Sequence, residues 1–240
     1  MASLDTTTQA RLQLVRGRIE RAARAAGREP RTIALVAVSK TFAADRIRQA
    51  LAAGQHRFGE NYLQEAVVKI DELARTEAGH SPEWHFIGPI QSNKTRELAE
   101  RFDWIQSLDR LKIAQRLSGQ RATGRPALNV LLQVNISGEA TKNGVPPAGL
   151  PDLAHQVGAL PGLRLRGLMA IPEPTPDETR QRAVFARMRM LFERLRGELA
   201  GSGVDLDTLS MGMSEDLEAA IAEGSTMVRV GTAIFGARKP

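Results

Sequence analysis

An α/β protein folded as a (β/α)8 TIM barrel is what this sequence predicts, on three observations. Short apolar runs and helical patterns alternate from one end of the chain to the other. The runs lack polar alternation, as strands buried on both faces of a parallel sheet do. About eight such units in 240 residues match the usual size of the barrel. A doubly wound open sheet would usually close with fewer strands, and no G-x-G-x-x-G follows the first strand, which argues against a dinucleotide fold. No linker or low-complexity stretch interrupts the pattern, so residues 1–240 read as one domain.

The elements follow in order. Residues 8–26 carry apolar groups at Leu12, Val15, Ile19, Ala22, Ala23 and Ala26, with threonines to cap the start and Gly27 to end the helix. Residues 33–38 form the first strand, rich in β-branched side chains. A helix over 44–53 stops at Gly54, and 57–59 make a brief second strand. The next helix presents Leu63, Ala66, Val67 and Ile70. Residues 83–88 are the third strand, and Ser92 can cap the helix through Leu98 and Ala99. Residues 104–107 are the fourth strand, with a helix over 108–117, and 128–134 the fifth. A polar loop over 137–145 precedes a helix over 150–157, and 163–171 are the sixth strand. The proline-rich 172–177 stops that strand and precedes a helix striped by Val184, Met188, Leu191, Leu195 and Leu199. Residues 207–210 are the seventh strand; Ser214 caps the helix through Leu217 and Ile221. Residues 227–230 are the eighth, followed by a helical turn at 233–235.

Composition excludes several functional classes. There is no cysteine, hence no disulfide, thiolate metal site or cysteine nucleophile. His56, His80, His85 and His155 show no metal-ligand spacing. The net charge of +6 raises the question of nucleic acid, but the arginines stand beside acids along helical patterns, as over 182–198. A solvated basic surface, with no nucleic-acid partner, is the reading preferred. No run approaches the roughly 20 apolar residues of a membrane span, and the polar N-terminus shows no signal peptide. The expectation is a cytoplasmic protein without a membrane partner.

In a barrel the residues just past each strand share one mouth. Here these are Lys40, Asn61, Gly88, Ser107, Asn135 and the segments 169–171, 210–214 and 229–232. Desolvation lowers the pKa of a lysine at a strand mouth and frees the amine as a nucleophile. Such an amine can form a Schiff base with a carbonyl, for example that of pyridoxal phosphate. The bland alternative is a lysine that snorkels to water. Ser210, Gly212 and Ser214 form a small-residue turn after the seventh strand, and Gly231-Thr232 a second after the eighth, where barrels often bind phosphate. Taken singly, each turn reads as a tight turn and a cap. Arg229 lies on a buried strand, where an unpaired guanidinium is costly. It is either half of an internal salt bridge or a donor to a pyridine nitrogen. An arginine there would keep that nitrogen unprotonated and weaken the ring as an electron sink.

V-A-V-S-K (36–40), F-G-E-N-Y-x-Q-E (58–65), W-H-F-I-G-P-I-Q-x-N-K (84–94), Q-V-N-I (133–136), G-L-M (167–169), L-S-M-G-M-S-x-D (209–216) and V-R-V-G-x-x-I-F-G (228–236) occur in this order. Together they resemble the pyridoxal phosphate homeostasis proteins, a family similar to the barrel domain of alanine racemase. The resemblance implies a fold-type III barrel that binds pyridoxal 5′-phosphate, with Lys40 as the Schiff-base lysine and Arg229 facing the pyridine nitrogen. Ser210, Gly231 and Thr232 match phosphate-contacting positions, Gly212 and Ser214 shape that turn, and Asn61 lines the pocket near the ring. It implies a role in balancing vitamin B6, amino acids and keto acids, with apo-enzymes as recipients of the cofactor.

The runner-up is a pyridoxal phosphate-dependent racemase. It needs acid/base groups on both faces of the cofactor, and related racemases take a tyrosine from a C-terminal β domain, which this chain is expected to lack. It predicts a second base such as Tyr62 or His85 near the cofactor. A barrel aldolase using Lys40 on a sugar phosphate is a third reading. Without the second racemase domain, a monomer is expected.

Overall fold

The computed structural model describes residues 7–76, 82–138 and 143–237. Eight parallel strands close into a barrel in sequence order: β1 (Ala34–Val38), β2 (Arg57–Glu60), β3 (Glu83–Phe86), β4 (Trp104–Leu108), β5 (Leu128–Gln133), β6 (Leu163–Met169), β7 (Thr208–Ser210) and β8 (Met227–Val230). β8 pairs back onto β1, with Arg229 beside Val36. Each strand is followed by a helix: α2 (Ala44–Ala52), α3 (Leu63–Thr76), α4 (Thr95–Arg101), α5 (Leu111–Gln120), α6 (Leu150–Gly158), α7 (Glu178–Glu198), α8 (Leu217–Ala222) and α9 (Thr232–Phe235). α1 (Thr8–Ala25) precedes the barrel, is capped by the Thr7 hydroxyl, and packs on α2, α8 and α9 through Leu12, Val15, Ile19 and Ala23.

Side chains alternate along each strand, so residues two apart share a face. Leu35, Ala37, Ile105, Val228 and Val230 point outward into the large apolar layer beneath the helices. Val36, Trp104, Leu131, Met169 and Met227 point inward and fill the lower barrel as a separate cluster. Two residues further along the same faces stand Gln106 and Arg229. The inside of the barrel therefore changes from apolar to polar on the way to the C-terminal mouth.

All eight predicted strands are present, with ends moved by a residue or two. Four local expectations are corrected. α5 starts at Leu111, because Leu108 is still fully buried at the end of β4. Ser92 opens a single 3-10 turn over 92–94 and does not cap α4; its carbonyl accepts the Thr95 hydroxyl. The core stripe of α7 is Phe185, Met188, Phe192 and Leu195, with Val184 and Leu191 only partly buried beside it. α8 starts at Leu217 and not behind Ser214, since residues 214–216 form a turn and Asp216 occupies the cap position. The basic residues over 182–198 are largely paired: Arg182 with Glu223, Arg194 with Glu198 and Arg196 with Glu193.

Candidate functional site

At the C-terminal mouth lies a cavity of about 530 Å³, lined by Lys40, Asn61, Ser214, Arg229, Gly231 and Thr232 among others. That volume is in the range of small-molecule sites. Six of the eight predicted site residues thus converge on one space. Ser210 and Gly212 do not line it. Ser210 is fully buried behind Arg229. Gly212 has φ +94°, a backbone region that side chains rarely adopt, and its carbonyl accepts the Arg229 amide. It shapes the turn, as the sequence suggests.

Lys40 lies two residues past the end of β1, on a backbone held from both sides. The carbonyl of Ser39 accepts Lys69 Nζ at 2.9 Å, and the amide of Thr41 donates to Glu65 Oε2 at 3.0 Å. Thr41 has φ +68°, alone among the described non-glycine residues in the left-handed region, a conformation that surrounding contacts must stabilise. Beneath it, Glu60 is fully buried and accepts Lys69 Nζ at 2.8 and 3.0 Å and the Ser39 hydroxyl at 2.6 Å. Burial pushes the Glu60 carboxyl up, against the pull of Lys69. Glu60 belongs to the F-G-E-N-Y-x-Q-E motif but is no predicted site residue, and Lys69 lies outside every motif. Lys69 occupies a buried position of α3 between Ala66 and Leu73, where periodicity suggests Val67 and Ile70 instead. A lysine within a helix's apolar stripe was the available signal.

Asn61 sits at the end of β2 with its main chain pressed against Gly88. A Cβ on Gly88 would lie 2.1 Å from the Asn61 carbonyl oxygen, so only glycine fits there. The Asn61 side-chain oxygen is buried and has no hydrogen-bond partner among the described residues. Such an orphan is costly and unusual, and here it borders the cavity.

Arg229 is 3% exposed. Nη1 donates to Ser210 Oγ at 2.7 Å and Nη2 to the Ala170 carbonyl at 2.9 Å, both neutral acceptors. No internal salt bridge forms: among the described residues no carboxylate lies within ion-pair distance. Burial pushes the guanidinium down to about 10, with Asp216 opposing from further away. It therefore remains a cation at neutral pH, facing a cavity, with no carboxylate of the described residues in contact with it.

Asp216, Thr175 and Gln181 also line the cavity and were not anticipated. Asp216 Oδ1 takes the Met213 amide at 2.6 Å and so fixes the turn that carries Ser214. The remaining wall includes Phe42, whose ring packs on Phe235 of α9 at 5.2 Å. The two candidate second bases are elsewhere. Tyr62 is half exposed and His85 is buried inside the barrel; neither lines the cavity.

Residues 11–239 match the family model described as alanine racemase, N-terminal domain. The chain is 61% identical over 224 residues to the pyridoxal phosphate homeostasis protein of Pseudomonas aeruginosa, covering 93% of each. The chain belongs to the pyridoxal phosphate homeostasis protein family. The Escherichia coli K12 member is 54% identical over 230 residues, covering 95% of both. Of solved structures, PipY of Synechococcus elongatus with PLP bound matches at a TM-score of 0.78 and 37% identity, over 91% of this chain and 100% of that one. Alanine racemase of Clostridium difficile shares the fold at a TM-score of 0.71 and 16% identity, covering 98% of this chain and 57% of that one.

Proposed function

We propose that this chain binds pyridoxal 5′-phosphate, holds it as a Schiff base on Lys40, and serves the intracellular homeostasis of vitamin B6 and of amino and keto acids. The observation that carries the reading is one cavity lined by both Lys40 and a buried arginine whose acceptors in contact, among the described residues, are both neutral. The residues present fit the group. Arg229 can donate to a pyridine nitrogen, which accepts a hydrogen bond without becoming charged. The orphaned Asn61 oxygen can take a donor from the cofactor side. Gly231, Thr232 and Ser214 border the cavity where two turns meet, and their small polar surfaces suit a phosphate. Ser210 contributes through Arg229.

When bound, the cofactor supplies a reactive aldehyde and an electron-withdrawing ring. The protein's own part is to position and to restrain. Arg229, a permanent donor at neutral pH, leaves the pyridine nitrogen unprotonated, which damps carbanion chemistry. Glu60 and Lys69 fix the strand end that presents Lys40. The placement of Tyr62 and His85 outside the cavity supports a carrier over a racemase, because neither is at hand as a second base. Release to apo-enzymes would then need only water to hydrolyse the bond to Lys40, returning the lysine amine and the free aldehyde. The protein works in the cytoplasm as a monomer; among the described residues no helix is long and apolar enough to cross a membrane.

The test is an absorbance spectrum after loading with pyridoxal 5′-phosphate. A visible band in the natural protein, absent in Lys40→Ala, is expected. A protein that takes up no cofactor would overturn the reading and favour the aldolase.

A further inference from the structure

A continuous hydrogen-bonded chain crosses the inside of the barrel, from the cavity to the opposite mouth, and the proposed function uses only Arg229 and Ser210 at its cavity end. Arg229 Nη1 donates to Ser210 Oγ. The Ser210 hydroxyl donates to Gln106 Oε1 at 2.7 Å. Gln106 Nε2 lies 2.8 Å from His85 Nδ1, and His85 Nε2 lies 2.9 Å from Glu83 Oε1. Glu83 opens β3 at the N-terminal mouth, where Arg57 Nε meets the same carboxylate oxygen at 3.0 Å. Four strands, β3, β4, β7 and β8, supply the members. Ser210, Gln106 and His85 are all fully buried.

The donors and acceptors in this chain admit one direction. A carboxylate only accepts, so His85 must carry its proton on Nε2. A neutral imidazole protonated there offers a lone pair at Nδ1. Burial pushes His85 down, which keeps the ring neutral. The Gln106 amide nitrogen must then face His85, and its oxygen must face Ser210. Once the Ser210 hydrogen is given to that oxygen, only a lone pair remains for Arg229. A second contact agrees: Gln106 Nε2 also meets the Met227 sulfur at 3.2 Å, an acceptor. Trp104 stacks on His85 with ring centroids 5.2 Å apart and an angle of 13°, which holds the imidazole plane.

We infer that Gln106 and His85 are positioning residues for Arg229: anchored on Glu83, they orient Ser210 as an acceptor and so aim the guanidinium at the cofactor's ring. This rests on the reading that Arg229 faces that ring. Had Gln106 the opposite orientation, its amide would donate to Ser210, and the Ser210 hydroxyl would turn its own hydrogen towards the guanidinium. Two donors would then meet, and Arg229 would swing away.

The test uses the natural protein, Arg229→Leu, Gln106→Leu and Gln106→Glu, each titrated with pyridoxal 5′-phosphate and observed by absorbance. Gln106→Leu is expected to weaken binding about tenfold, because the misaimed Arg229 loses its charge-assisted hydrogen bond to the ring, and to shift the visible band. Gln106→Glu restores an acceptor for Ser210 and is expected to restore both, with His85 then holding protons on both nitrogens between two carboxylates. If Arg229→Leu alters affinity and band but Gln106→Leu alters neither, the inference falls and the ring contact stands. If Arg229→Leu alters neither, the ring contact falls and takes the inference with it. Should Gln106→Leu fail to fold, nitrogen NMR on the natural protein decides, with His85 assigned by its loss in His85→Gln. A neutral Nε2–H form supports the inference, and an Nδ1–H or cationic form overturns it.

Discussion

Lys69 and Arg229 are both buried cations within reach of the barrel mouth, yet they are solvated by the protein in opposite ways. Lys69 has a carboxylate of its own, Glu60, which it meets through both oxygens. Arg229 has a hydroxyl and a carbonyl, and among the described residues no carboxylate within ion-pair distance, Asp216 acting on it only from further away. A buried charge with a full counter-ion is complete without a ligand. One left with neutral acceptors at a cavity wall stays costly until something arrives that can use it. The comparison assigns Lys69 to the architecture that presents Lys40, and Arg229 to the ligand.

The largest effect follows from breaking the complete pair. Glu60→Ala leaves Lys69 buried without its partner, and should cost about 3 kcal/mol of stability in urea unfolding. The double replacement Glu60→Leu with Lys69→Met should cost clearly less, because burial already opposes the Glu60 charge. A double variant as unstable as the single one would show that the pair is not a self-contained unit. Arg229→Leu should behave differently. It strips donors from Ser210 and Ala170, a loss of roughly 1–2 kcal/mol, but should weaken pyridoxal 5′-phosphate binding tenfold or more in the same titration. A large stability loss with unchanged binding would make Arg229 structural as well.

The smallest effect is a dependence on pH. His85 has its pKa lowered in the fold, by burial, from an ordinary value of 6.5. Between the folded and unfolded values only the unfolded chain binds the proton, so stability falls as pH drops below about 6.5. His85→Gln should remove this part of the slope in unfolding measured between about pH 5 and 7. An identical slope in both proteins would mean that His85 is already charged in the fold.

Much of this was legible in the sequence. Buried parallel strands announce themselves as unbroken apolar runs, which is why all eight were found. Lys40, Arg229 and Gly231 could be placed together from the sequence because strand ends in a barrel share one mouth. What stayed hidden depends on side chains meeting across the fold. Gln106 looked like an ordinary residue of a short strand, although a polar group on the inward face beside Trp104 was a visible clue. Lys69 was obscured by a helical stripe that could be drawn one residue away. Ser210 was placed in the phosphate turn by its neighbours in sequence, but the pleat of β7 turns it inward, behind Arg229.

The central claim is that Lys40 is the residue presented to the cofactor while Lys69 is locked in its pair. Borohydride reduction of the loaded protein, followed by peptide mass spectrometry, tests it most directly. The account predicts a pyridoxyl phosphate adduct on Lys40, with Lys69 unmodified. An adduct on Lys69, or one spread over surface lysines with Lys40 spared, would contradict it.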